Sequence, residues 1–163
     1  MKFLAAALFL AVLALTGCQS PSAAPRDYVL VLARFFLEEN GQQATRVMLP
    51  RSGVNLAIGA QPVFTEADIA NVELMQVELG QCLMFQLTAS SARDLYRLSA
   101  SHQGRRLVLV LNGEPIGARR IEGPLGEGNI LVFVELADAA LPALVVNLKK
   151  TIAELQRAIA RKG

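Results

Sequence analysis

Apolar and polar positions alternate along this chain with two different periods. From Tyr28 to Glu38 β-branched and aromatic residues are dense, which predicts a strand. Asn40-Gly41 is a turn signal, and Arg46 to Leu49 returns as a second strand. Pro50 to Gly53 interrupts the pattern, and Val54 to Ile58 predicts a short strand. Thr65-Glu66-Ala67-Asp68 has the spacing of a capping box, so one helical turn or two are expected from Glu66 to Ala70. Val72 to Leu79 reads as a strand with apolar residues on both faces. Gly80-Gln81 is the expected turn, and Cys82 to Leu87 follows with Leu83, Phe85 and Leu87 on one side.

The period then lengthens. A helix capped by Thr88 or Ser90 is expected through about Ser101, with Ala92, Leu95, Leu98 and Ser99 along one stripe. Gly104 is placed to end it in a left-handed conformation. Arg106 to Leu111 is apolar on both faces, which predicts a central strand. Asn112-Gly113 is a two-residue hairpin signal. Glu114 to Glu122 returns, Gly123 to Gly128 is a loop, and Ile130 to Leu136 is the last strand. From Leu141 to Lys162 the residues Leu141, Leu144, Val145, Leu148, Ile152, Leu155 and Ile159 form one helical seam. That seam has two fates: packing on its own sheet, or meeting a partner helix in a dimer. The expected fold is α+β, an antiparallel sheet with one central helix and a long C-terminal helix packed on it.

The first residues read differently. Lys2 precedes an apolar run, Phe3 to Leu15, which is too short to span a bilayer and suits a signal-peptide core. It closes on Leu15-Thr16-Gly17-Cys18, which resembles a bacterial lipobox. The resemblance implies cleavage before Cys18 and a diacylglycerol thioether on its sulfur. The expected organisation is a signal at 1–17, a lipidated tether at 18–27 and a single domain at 28–163. Gln19 stands where an inner-membrane retention signal would have Asp. The anchor is therefore expected in the outer membrane, facing the periplasm.

Composition narrows the chemistry. The formal net charge is +2, and the signal takes one positive charge with it, so no strong field favours nucleic acid. After Leu15 no run approaches the roughly 18 apolar residues of a spanning helix. With Cys18 lipidated, Cys82 is alone in an apolar strand and reads as a buried thiol. A single His and a single free Cys offer no ligand spacing, so neither a metal nor another cofactor is expected. His102 falls at a helix end and reads as a cap. No Gly-x-Ser-x-Gly or phosphate-loop pattern occurs, and no catalytic residue is assigned.

Arginines supply the candidate contact. With a two-residue turn at Asn112-Gly113, Leu111 would pair with Glu114, Leu109 with Ile116 and Leu107 with Ala118. Arg106 would then face Arg119, and Arg105 would face Arg120. Like charges directly opposite one another destabilise a sheet. Either Glu122 or Asp94 neutralises Arg105, Arg106, Arg119 and Arg120, or the four meet an anionic partner: acidic peptide, lipid headgroup or envelope polymer.

Several of these features fall together from Phe85 to Glu122: Leu87-Thr88, the helix positions Ala92, Leu95 and Leu98-Ser99, Gly104-Arg105-Arg106-Leu107, Asn112-Gly113 and Ala118. With Pro62 to Ile69 upstream and Pro124-Leu125 and Gly128 downstream, the segment 62–136 resembles the periplasmic head domain of SecD, an export-accessory protein. Asn112 replaces that family's turn Asp, and Arg119 replaces a Pro. SecD also has transmembrane helices that couple proton flow to its head, and no such segment follows Leu15 here. The resemblance implies a non-enzymatic protein that keeps the head's part alone, contact with exported, incompletely folded polypeptide or with an envelope protein partner. A structural envelope lipoprotein that dimerises or docks through its C-terminal helix is the alternative.

Overall fold

The computed structural model describes residues 26–161. The signal segment, Cys18, most of the tether and Lys162 lie outside the described residues. Strands β1 (Ala33–Leu37), β6 (Arg106–Leu111) and β7 (Glu114–Arg120) form one antiparallel sheet with β6 in the centre. Strands β4 (Ile69–Val77), β5 (Gly80–Leu87) and β8 (Asn129–Val132) form a second, with β5 in the centre. Strands β2 (Thr45–Met48) and β3 (Asn55–Ile58) make a separate hairpin. Helix α1 (Ala89–Ser101) links β5 to β6, and helix α2 (Leu141–Ala160) closes the described chain. The fold is α+β, with the long C-terminal helix packed on β4.

One core joins these layers. Phe35 of β1 and Phe85 of β5 are fully buried and meet edge to face, centroids 5.1 Å apart at 87°. Around them lie Leu83, Leu95, Leu107, Leu109, Ile130 and Leu148. A smaller cluster on the other face of β6 holds Val108 and Val110 under Leu49, Leu56 and Ile58 of the β2–β3 hairpin. That accounts for the apolar residues on both faces of β6.

The two main sheets meet where β7 passes the chain beyond β8. Gly117 bridges Val134, and the Glu135 N–H donates to the Ile116 carbonyl at 2.7 Å. A Cβ at Gly117 would lie 2.4 Å from the Phe133 carbonyl oxygen, closer than real Cβ contacts come, so only glycine fits this joint. Beyond it, the Glu135 carboxylate accepts from the Arg51 and Ser52 N–H groups at 2.7 and 2.9 Å, pinning the β2–β3 turn.

Helix α1 begins as its sequence predicts. Thr88 is the N-cap, and its Oγ1 accepts from the Ser91 N–H. Asp68 ties this end to the start of β4: one carboxylate oxygen accepts from Ser91 Oγ at 2.8 Å, the other from the Thr65 N–H at 2.8 Å and Thr65 Oγ1 at 2.9 Å. At the other end the His102 N–H donates to the Leu98 carbonyl, with Nδ1 also at hydrogen-bond distance from it. Gly104 follows at φ +86°, as expected of a left-handed ending. In α2, Pro142 sits in the first turn, where its missing N–H costs nothing. Leu141, Val145, Leu148 and Ile152 are buried, each contributing about 1.5–3 kcal/mol. Of the two fates of the helical seam, the structure shows packing on its own sheet.

Beyond shifts of one or two residues at strand ends, four boundaries differ from the sequence expectation. The turn between β4 and β5 is Glu78-Leu79, and Gly80 already opens β5. Glu66–Asp68 is a short 3₁₀ turn, because Ile69 is buried and starts β4. The last strand stops at Val132, where the chain leaves β5 for β7. Tyr28 to Leu32 forms no strand, since side chains hold its backbone. The Val29 N–H donates to Asn147 Oδ1 and the Val31 N–H to Thr151 Oγ1, both on α2, while the Leu32 N–H donates to Asn112 Oδ1.

Candidate functional site

The β6–β7 hairpin carries the four arginines, and its register decides which of them meet. Asn112 at φ +48° and Gly113 at φ +93° form the two-residue turn, which closes Leu111 against Glu114 and Val110 against Pro115. The ladder then slips: Leu109 pairs with Gly117 rather than Ile116, with a bulge between. Pro115 has no N–H to donate to β6, and Ile116 turns its side chain into the main core. The expected register is thereby corrected by one residue. Leu107 faces Arg119, and Arg106 faces Arg120.

The bulge separates the set. Arg106 and Arg120 are cross-strand neighbours on the same face as Val108 and Ala118. The Arg106 Nη1 donates to Glu38 Oε1 at 3.0 Å, so the acid beside this pair comes from the end of β1. Asp94 instead pairs with Arg97 along α1. Arg120 is exposed. Arg119 is half-buried at the other side of the sheet, where its Nη1 donates to the Leu131 carbonyl at 3.2 Å. Arg105 precedes β6 in the exposed loop after α1, and its carbonyl accepts from the Ile121 N–H at 2.8 Å. Arg106 and Arg120 are thus brought together, Arg119 is directed to β8, and Arg105 stands apart.

At the tip of the same hairpin lies a hollow of about 320 Å³, lined by Leu32, Phe36 and Val110 with Arg34, Asn112 and Gly113 at its edge. Arg34 is held by Glu66 through two hydrogen bonds at 3.0 and 3.1 Å, and Glu66 is pulled below the usual carboxylate range chiefly by that bond. Such a hollow has the size and lining to take an apolar side chain. Its signal in the sequence is the alternation Leu32, Arg34, Phe36, which puts one charged residue among apolar ones on a single face of β1.

Cys82 is fully buried, and burial pushes its thiol up despite the nearby Arg119. That is the environment of an unreactive thiol, as the apolar strand predicts. Among the described residues no group of His, Cys, Asp or Glu has the arrangement of a metal site, and no helix is long and apolar enough to cross a membrane.

No protein-family model and no curated protein sequence matches this chain. Its fold is similar to three solved chains of SecDF. One, described as a membrane component that enhances protein export, shares 15% identity at a TM-score of 0.57, over 74% of this chain and 62% of its own. A second, SecDF in its super-membrane-facing form, shares 17% identity at 0.58, over 73% of this chain and 18% of its own. A third, the translocon-associated SecDF of Thermus thermophilus, shares 16% identity at 0.51, over 76% of this chain and 20% of its own. The chain therefore spans only part of these proteins, and what it shares with them is the fold.

Proposed function

We propose that this protein is a non-enzymatic, lipid-anchored envelope protein that binds exported, incompletely folded polypeptide or an envelope protein partner. The observation that carries the reading is the fold likeness to SecDF chains, one of which is described as enhancing protein export. Cys18 supplies the anchor, and the domain works at the periplasmic side of the membrane, the outer membrane by the Gln19 criterion. The binding face is that of β1, β6 and β7. Its hollow between Leu32, Phe36 and Val110 accepts an apolar side chain of an extended segment. Arg120 beside Arg106 attracts acidic groups of the same partner, while Arg119, on the other side of the sheet, takes no part on this face.

The test is binding of the full-length protein to one secretory polypeptide in two forms, held unfolded and natively folded. The reading predicts binding of the unfolded form only, weakened by Phe36→Ser. Equal binding of both forms, or of neither, contradicts the binding of exported polypeptide and leaves the envelope partner as the occupant of this face. Anchoring is tested separately: Cys18→Ser is expected to abolish lipid labelling and release the protein from membranes.

A further inference from the structure

The second sheet has an outer face made of the residues that alternate with its core positions. Leu83, Phe85, Ile130 and Val132 point into the main core. The alternate residues point away. Met75 pairs with Cys82, and one step further along Phe133 continues that row; Glu73 pairs with Met84, and Met84 with Leu131. Of these, Cys82 is fully buried beneath its neighbours, Phe133 is 43% exposed, and Met75, Met84 and Leu131 are half-buried. Beside the polar row of Asn71, Gln86 and Asn129, this methionine-containing patch is adaptable and suited to association.

Its charges lie at opposite borders. Glu73 stands at the β4 edge, where Asn71 Nδ2 donates to its Oε1 at 3.2 Å. Arg119 stands at the β7 side, using Nη1 on the Leu131 carbonyl. Among the described residues neither is in an ion pair within 4.0 Å. One acid and one base flanking an apolar centre make a patch complementary to itself. A two-fold axis running along the strands, between β5 and β8, reverses the order of strands in the second copy. Glu73 of each copy then lies over Arg119 of the other, with Met84 and Leu131 stacked between. Face-to-face sheets pack about 10 Å apart, a separation that Glu and Arg side chains can bridge.

We infer that this face is the interface of a symmetric homodimer, in which two copies form a sandwich through their second sheets. The interface is isologous, so it closes at two copies and does not propagate. It leaves the β1–β6 hollow and Arg120 on the outside of the dimer.

The test is sedimentation velocity of the full-length protein in density-matched detergent, for wild type, Glu73→Arg, Arg119→Glu and the double reversal. The wild type is expected to be dimeric. Each single reversal sets like charges against each other and is expected to weaken the dimer about tenfold or more, and the double reversal restores it. Far-UV circular dichroism and melting report whether each variant is folded. If Arg119→Glu unfolds the domain, Glu73→Arg carries the test alone. A monomeric wild type overturns the proposal. So does a dimer indifferent to Glu73→Arg, which would place association in the lipid or on another face. A double reversal no better than the folded single variants also overturns it.

Discussion

Arg106 stands directly opposite Arg120 across the β6–β7 ladder, and Glu38 reaches Arg106 at 3.0 Å from the end of β1. Like charges in cross-strand positions repel, and the acid that offsets them comes from a third strand. Glu38→Gln should therefore destabilise the domain by about 0.5–1 kcal/mol, the range for a largely solvent-accessible pair. The loss should shrink as salt screens the arginines. Urea denaturation at low and high ionic strength checks both parts. A loss independent of salt would mean that Glu38 acts through packing instead.

Gly117 is where the two main sheets touch. A methyl group there meets the Phe133 carbonyl oxygen at 2.4 Å, and the obstacle is backbone, which cannot swing aside. Gly117→Ala is expected to cost about 1–3 kcal/mol, as overpacking does, and to loosen the Glu135 to Ile116 hydrogen bond. Amide exchange at Glu135 reads the second effect. Unchanged stability and unchanged protection would show that the joint is softer than its geometry implies.

Asp68 gathers three hydrogen bonds at the junction of the 3₁₀ turn, β4 and α1. Burial works to raise its carboxyl, but the bonds from the Thr65 N–H, Ser91 Oγ and Thr65 Oγ1 outweigh it and leave the group below its ordinary value. Asp68→Ala should cost about 2–3 kcal/mol, since hydrogen bonds to a charged acceptor are among the stronger ones. Thermal melting measures this. Asp68→Asn, which keeps an acceptor, should recover part of the loss.

Acid should release the N-terminal segment from α2 before the core unfolds. Glu154 is lowered to about 2, first by its hydrogen bond from Arg26 and then by that from Tyr28. Asp27 is lowered by its bond from Lys150. For depressed carboxylates the stabilisation is present above the ordinary value of about 4.5 and fades as pH falls toward the folded-state value. Hydrogen exchange at Val29 and Val31, corrected for intrinsic rate, should show protection at pH 5 and its loss approaching pH 2. Equal protection at both would mean that Asn147 and Thr151 hold the segment without the carboxylates.

The sequence made the elements legible where periodicity and local chemistry agreed. Thr88, Gly104 and Asn112-Gly113 mark their cap and turns because each acts on its own backbone. The seam of α2 and the double-sided burial of β6 follow from spacing. What escaped depends on contacts distant in the chain. The bulge at Ile116 arises from Pro115 together with the Gly117–Val134 joint, and that joint lies across the β7–β8 loop. Glu38 partners Arg106 only once β1 lies beside β6. Tyr28 to Leu32 has the composition of a strand, yet side chains from α2 and the hairpin turn take up its N–H groups. For the same reason the arginines looked like one cluster: an unbulged register aligns them in two facing pairs, and the slip of one residue moves Arg119 to the other face.

The β1–β6–β7 face is proposed to meet incompletely folded polypeptide in the envelope. The most direct test is photo-crosslinking in living cells, with the probe placed singly at Leu32, at Arg120 and, as a control on a remote turn, at Leu79. Leu32 and Arg120 are expected to capture exported chains during active secretion, blocking export is expected to remove those products, and Leu79 is expected to capture none. Products equal at all three positions, or none from Leu32 and Arg120 while export is running, would contradict the proposal.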